Sequence, residues 1–194
     1  MRVDLKKIAS VQMGYSFRSR LEQLDTGRIA VVQMKDLTDQ NRVDCAGLMR
    51  IDMEKVKVHH LVQRGDLVFR SRGLVTTSAL LTEDPGQAVV AAPLLRIRVT
   101  SRSIIPSYLH WYINQAPAQT FLASHAKGTV QQMIGKDALE KLEVIVPPLE
   151  CQKAIVELAE LAEREQCLMK KLTQKHRQIM AVRLLEMAKG DMSK

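Results

Sequence analysis

From Leu149 to Lys189 the chain runs for 41 residues without a glycine or a proline. Such a stretch reads as one α-helix, roughly 60 Å long at 1.5 Å per residue. Pro147-Pro148 stands immediately before it and marks where the preceding structure stops. Apolar residues recur at Ile155, Leu158, Leu161, Ala162, Leu168, Met169, Leu172, Ile179, Val182 and Leu185. Spacings of three and four place them on one stripe. A helix of this length outruns a body of about 150 residues, so part of the stripe needs a second helix, in a parallel or an antiparallel coiled coil. The other solution is a helix folded back along its own body. The polar stretch Thr173–Gln178 reads as a register or exposure feature of the helix.

The 194 residues thus divide into a body, 1–148, and a helix, 149–190. Short apolar runs in the body are cut by Gly, Pro, Asn and Asp, which predicts mixed α/β (α+β) structure. Strands are expected at Arg28–Met34, Gly65–Arg70, Ala88–Ala92, Leu94–Val99 and Leu142–Val146. In Leu94-Leu95-Arg96-Ile97-Arg98-Val99 apolar and basic residues alternate, which predicts Arg96 and Arg98 on a wet face. Helices are expected at Ile105–Ile113, where Pro106 can open a helix, and at Pro117–His125. Leu5, Ile8 and Ala9 suggest another near the N-terminus. Asp137 and Glu140 suit the start of a short one.

High apolar content (46%) excludes disorder as the main state. The formal charge of +8 excludes an acidic mimic of nucleic acid and favours an anionic partner. No uncharged apolar run of about 18 residues offers a membrane span. Charges at Arg2, Asp4, Lys6 and Lys7 stand where a signal peptide needs apolar residues. Cys45, Cys151 and Cys167 form no CxxC pair, which fits reduced thiols in a cytoplasmic protein.

Catalytic patterns are lacking. His59, His60, His110, His125 and His176 make no HExxH or zinc spacing, and neither GxSxG, GxxxxGK[ST] nor GxGxxG occurs. A nuclease pattern of paired carboxylates and a lysine is too short to test by reading. The adjacent His59 and His60 would point to opposite faces of a strand. No enzyme activity, metal or cofactor is therefore expected.

The body carries 20 basic and 14 acidic residues, and the basic ones gather where loops are expected: Arg18 and Arg20, then Arg64, Arg70 and Arg72, then Lys127 beside Gly128. Arginine grips phosphate or the O6 and N7 of guanine, and Gln131 and Gln132 suit adenine edges. Each cluster alone also fits a solvated surface. Readers of single strands stack bases on aromatics. Here Tyr108, Trp111 and Tyr112 stand at helical spacing and fit a core, which leaves duplex DNA as the better ligand.

These residues match a known pattern. Leu61–Gly73, with Gly65-Asp66-Leu67-Val68-Phe69 at its centre, resembles the GD(L/I) strand and loop of target recognition domains in type I restriction–modification specificity subunits. Gly128–Ile134 followed by Leu139–Gln152, with Val146-Pro147-Pro148-Leu149 leading to Gln152, resembles that family's closing element ahead of a long helix. Gly14-Tyr15-Ser16-Phe17 fits its opening. Cys151 stands where the family commonly has Glu.

The resemblance implies a non-catalytic reader of double-stranded DNA. Its long helix would set the distance between half-sites and dock methyltransferase subunits, with a restriction subunit as a further partner. The family's usual chain has two such domains and two helices, so this one resembles either a half-subunit that homodimerises or a truncated copy. One more helical turn, about 5.4 Å, would then shift the preferred gap by one to two base pairs. The implied DNA-facing residues are Ser16, Phe17 and Arg18; Arg70, Ser71, Arg72 and Gly73; and Lys127, Gly128, Thr129, Gln131 and Gln132. Dimerisation would use Ile155, Leu158, Leu161, Ala162, Leu168, Met169, Leu172, Ile179 and Val182. The rival reading is a coiled-coil interaction module with no specific DNA target.

Overall fold

The computed structural model describes residues 1–17, 21–24, 26–53, 56–73, 76–128 and 132–189. Arg18, Thr129 and Gln131 lie outside the described residues. In chain order the elements are β1 (Arg2–Asp4), β2 (Ala9–Met13), β3 (Ile29–Val32), β4 (Met49–Ile51), β5 (Leu67–Phe69), β6 (Ser78–Leu80), β7 (Ala88–Val90), β8 (Leu95–Val99), α1 (Pro106–Ile113), α2 (Ala116–Ser124), α3 (Lys136–Glu140), β9 (Glu143–Ile145) and α4 (Leu149–Ala188). Two compact units divide the chain, Met1–Lys153 and Ala154–Lys194. The expected α/β body followed by one long helix is what the chain forms.

Three sheets build the first unit. One is antiparallel in the order β2-β8-β5-β6, a second is β4-β3-β7 with β3 and β7 parallel, and β1 pairs with β9. The run Ile29–Val32 shows no alternation because β3 is buried on both faces. Ala30 and Val32 join Val68, Ala79, Ala88, Val90 and Leu94 in one core cluster. Ile29 and Val31 join Ile51, Val89 and Ala91 in another. Gly14 is demanded by close packing: a Cβ there would lie 2.6 to 2.8 Å from backbone atoms of Ala91 and Leu94.

Several expectations require correction. Arg96 and Arg98 do not lie on a wet face: Arg96 is buried, and Arg98 is tied to the buried carboxylate of Asp66. Arg98 Nε and Nη2 donate to Asp66 Oδ1 and Oδ2 at 2.7 and 2.6 Å. Arg96 donates to Leu61 O at 3.0 Å and to Gln12 Oε1 at 2.9 Å. Period-two alternation reports two unlike faces; the polar one here is closed by Asp66 and the Leu61 carbonyl instead of water. The hydrogen bond to Asp66 pushes the Arg98 pKa up, while burial and the Arg98 charge pull that of Arg96 down.

The N-terminal helix is only a 3-10 turn at Leu5–Lys7, and Ala9 opens β2. The reason is non-local: β1 is drawn onto β9, and Leu5 N donates to Leu142 O at 2.8 Å. His59 and His60 close a 3-10 turn at Val58–His60, with rings 4.3 Å apart rather than on opposite faces.

His110 on α1 sits against β6, its Nδ1 3.2 Å from Ser78 Oγ and 3.4 Å from Asn114 Nδ2. Burial first, and the Arg42 charge second, lower its pKa to about 4. The folded value lies below that of an unfolded histidine, about 6.5, so the neutral ring favours folding above pH 6.5. That contribution, about 3 kcal/mol, is lost as the pH falls from 6.5 towards 4. In urea titrations, His110→Gln is expected to flatten the stability-versus-pH curve across this window. A curve parallel to wild type would refute the assignment.

Candidate nucleic-acid interface

Two of the three expected loops meet. Arg72 and Lys127, 55 positions apart in sequence, both bridge to Met133 in antiparallel sense. Ile134 N donates to Ser71 O at 2.7 Å and Gly73 N to Gln132 O at 3.3 Å. Lys127 and Met133 exchange both backbone bonds, at 3.0 and 2.9 Å. The result is a small ribbon of three backbone segments that carries exposed Arg72, Lys127 and Gln132. Gly73 and Gly128 lie at φ of +113° and +103°, where a side chain would strain the turn.

The other residues of these loops serve the fold. Ser71 is buried and its Oγ donates to the carbonyl of Pro93. Arg70 is half-buried, with Nη2 donating to Leu37 O at 2.6 Å. These contacts hold the ribbon onto the sheets, so Arg72 and Lys127 are presented from a fixed backbone.

The loop of Ser16 and Phe17 reaches the same region through the turn after β7. Tyr15 N donates to Val90 O at 2.6 Å and Ala92 N to Tyr15 O at 2.9 Å, while Pro93, next in the turn, accepts from Ser71. Beside it opens a groove of about 440 Å³ lined by Ser16, Phe17, Leu21, Gln33, Met34, Ala91 and Ala92. Gln33 is placed by a reciprocal turn: its backbone N–H donates to Asp36 Oδ2 at 2.7 Å. Tyr15 packs on Phe17 with ring centres 4.8 Å apart and meets the edge of His60 at 5.4 Å. Burial and the neighbouring His59, Lys57 and Arg96 lower the His60 pKa.

Reading the sequence missed Tyr15, Gln33, Met34 and Ala92, none of which belongs to a charge cluster. Gly14 was the available signal, since a glycine ahead of two aromatics marks a close backbone approach. Among the described residues no group of His, Cys, Asp and Glu is placed to hold a metal, and no helix is long and apolar enough to cross a membrane.

The second unit presents the apolar stripe of α4. Leu158 and Leu172 are 70% and 72% exposed. Leu161, Ala162, Leu168, Met169, Ile179 and Val182 are exposed as well, and Ile155 is half-buried. The first turn of α4, within the first unit, is anchored by Gln152, whose amide makes three hydrogen bonds.

This architecture is shared with solved structures. One is the HsdS subunit of Thermoanaerobacter tengcongensis, at a TM-score of 0.66 and 18% identity over 88% of this chain and 39% of that one. Another, from a study of assembly and conformational transition in the type I R-M system, scores 0.72 at 18% identity over 95% and 43%. The S subunit of M. genitalium scores 0.58 at 11% identity over 99% and 46%. The chain thus spans less than half the length of each, and at these identities the likeness is one of fold. No curated protein matches it in sequence. A family described as the type I restriction modification DNA specificity domain matches residues 1–175. Such domains are non-catalytic. On that match, and with the fold to support it, the chain belongs to the type I restriction modification DNA specificity domain family.

Proposed function

We propose that residues 1–148 form a target recognition domain for double-stranded DNA, and that residues 149–190 pair two copies of the chain and dock methyltransferase subunits. In this reading the protein selects a bipartite site in the cytoplasm, and partner subunits carry out adenine methylation and cleavage. The observation that carries it is the ribbon: Arg72, Lys127 and Gln132 are exposed on segments tied to one another by backbone hydrogen bonds. Guanidinium and ammonium groups suit phosphates, and a carboxamide suits a base edge. The groove beside Phe17 adds an apolar surface of the kind that meets a thymine methyl.

The test removes the ribbon's two exposed cations, Arg72 and Lys127, and spares Arg70, which is bonded to Leu37. Arg72→Ala with Lys127→Ala is expected to weaken duplex binding by about 10- to 100-fold near 100 mM salt. The slope of log K against log salt should fall by about two, one unit for each phosphate no longer neutralised. Affinity and slope both unchanged from 50 to 200 mM salt would remove the ribbon from the interface.

The exposed stripe of α4 favours a second reading, a coiled-coil interaction module without a specific target. Equal affinity for all duplex sequences, with stable pairing through α4, would select that reading.

A further inference from the structure

A row of polar and aromatic side chains leads from β8 to the groove at Phe17. Arg96 is 6% exposed, and its Nη2 donates to Gln12 Oε1 at 2.9 Å. A guanidinium only donates, so this bond fixes which end of the Gln12 amide faces Arg96. Gln12 Nε2 is thereby turned to His60 Nδ1, 3.5 Å away. An amide NH2 also only donates, so Nδ1 accepts, and the ring is neutral with its hydrogen on Nε2. The His60 ring stands nearly perpendicular to that of Tyr15, with centres 5.4 Å apart. Tyr15 in turn packs at 4.8 Å on Phe17, which lines the groove.

We propose that His60 is a positioning residue for sequence reading: neutral, it holds the Tyr15–Phe17 wall of the groove through Gln12 and Arg96, and on taking up a proton it lets that wall go. The inference rests on the duplex-reading role given to residues 1–148 and adds a residue that governs selectivity without touching DNA. Once protonated, Nδ1 becomes a donor and faces the donor of Gln12. Turning the amide round offers no relief, because Arg96 would then meet an NH2 group. The cavity bordered by Gln12, His59, His60 and Arg96 is about 10 Å³, too small for more than one water to intervene. Burial first, then the charges of His59 and Lys57 on its own turn and of Arg96 on β8, hold the His60 pKa below the usual histidine value of 6.5. The neutral ring therefore supports the ordered wall above pH 6.5, and that support is lost as the pH falls through the lower folded value. Tyr15 stays bonded through its backbone to Val90 and Ala92, so the ring and not the chain is released.

Nitrogen-15 NMR of the histidine rings and selection from a pool of random-sequence duplexes test this, both on the full chain between pH 7.5 and pH 5.0. In the wild type, His60 Nδ1 should show the shift of a nitrogen without hydrogen at pH 7.5. Enrichment of the selected sequence over random duplex should fall at least about tenfold by pH 5.0. His60→Asn keeps an acceptor near the Nδ1 position but neither titrates nor reaches Tyr15. Its enrichment should start lower and change less than about twofold on acidification. Gln12→Glu offers a carboxylate oxygen to Nδ1, so the hydrogen should move to Nδ1 and selectivity should persist to pH 5.0. Melting curves at each pH serve as the folding control. A wild-type Nδ1 that carries hydrogen at pH 7.5, or an equal acid loss in wild type and His60→Asn, would overturn the proposal. So would selectivity and affinity that rise together on acidification in the wild type alone, which is the mark of a His60 in contact with phosphate. A wild type that enriches no sequence at pH 7.5 would instead overturn the duplex-reading role, and this inference with it, whatever the nitrogen shifts.

Discussion

Replacing Asp66 by alanine is expected to destabilise the first unit by about 3–5 kcal/mol, the usual cost of removing one partner from a buried ion pair. The carboxylate is 1% exposed and holds Arg98 with two bonds. It also accepts the Gln63 N–H at 2.9 Å, which closes the turn into β5. Without it two guanidinium groups stay side by side on β8, both donating to the single carbonyl of Leu61. The thermal midpoint should fall by about 10 °C or more for a unit of this size. Asp66→Asn keeps an acceptor for the turn but loses the charge, and should lie between wild type and alanine. A loss below 1 kcal/mol for Asp66→Ala in urea titrations would show that Arg98 is solvated rather than paired. Because β5 leads directly to Arg70 and Arg72, the same variant should also loosen the ribbon.

Gln152→Ala is the second large expected effect, at about 3 kcal/mol. The side chain is fully buried, and its Oε1 accepts from Ile105 N at 3.0 Å. Its Nε2 donates to Ser103 O and Pro147 O, both at 2.8 Å. One amide thereby satisfies the entrance to α1, the turn before it, and the Pro147-Pro148 approach to α4. Truncation leaves one donor and two acceptors buried without partners, at about 1–3 kcal/mol for each group that water does not reach. Gln152→Glu keeps the acceptor for Ile105 but turns a second oxygen towards two carbonyls, so it should cost at least as much. Hydrogen exchange gives the local readout: Ile105 N–H should lose protection in the alanine variant and keep it in Gln152→Glu. Wild-type melting of both variants would mean that the amide is not what anchors the first turn of α4.

How far the molecule could be read from its residues depends on the range of the forces involved. The 40-residue α4 was legible because helix periodicity and the lack of breakers are local properties. So was β3, since a run buried on both faces is simply apolar. Strands β4 and β6, at three residues each, carry too few positions for a pattern, and Ser78 places a hydroxyl where alternation would want an apolar side chain. Loop positions were legible from Gly65, Gly73 and Gly128, which all adopt positive φ. Which loop residues turn outward was not, because Ser71 and Arg70 find their acceptors at Pro93 and Leu37, 22 and 33 positions away.

From residues alone came the division into a body and a helix, the basic character of the body, the seam of the helix and the motifs that resemble a specificity domain. All of these are carried by composition or by neighbours a few positions apart. Tertiary structure decided that Arg98 turns inward to Asp66 and Arg96 to Gln12 and the Leu61 carbonyl, and that the segments around Arg72 and Lys127 share one ribbon. It also decided that Gln152 ties three distant backbone groups together. Each of those outcomes depends on a partner brought close only by folding, and no local pattern in the chain encodes that proximity.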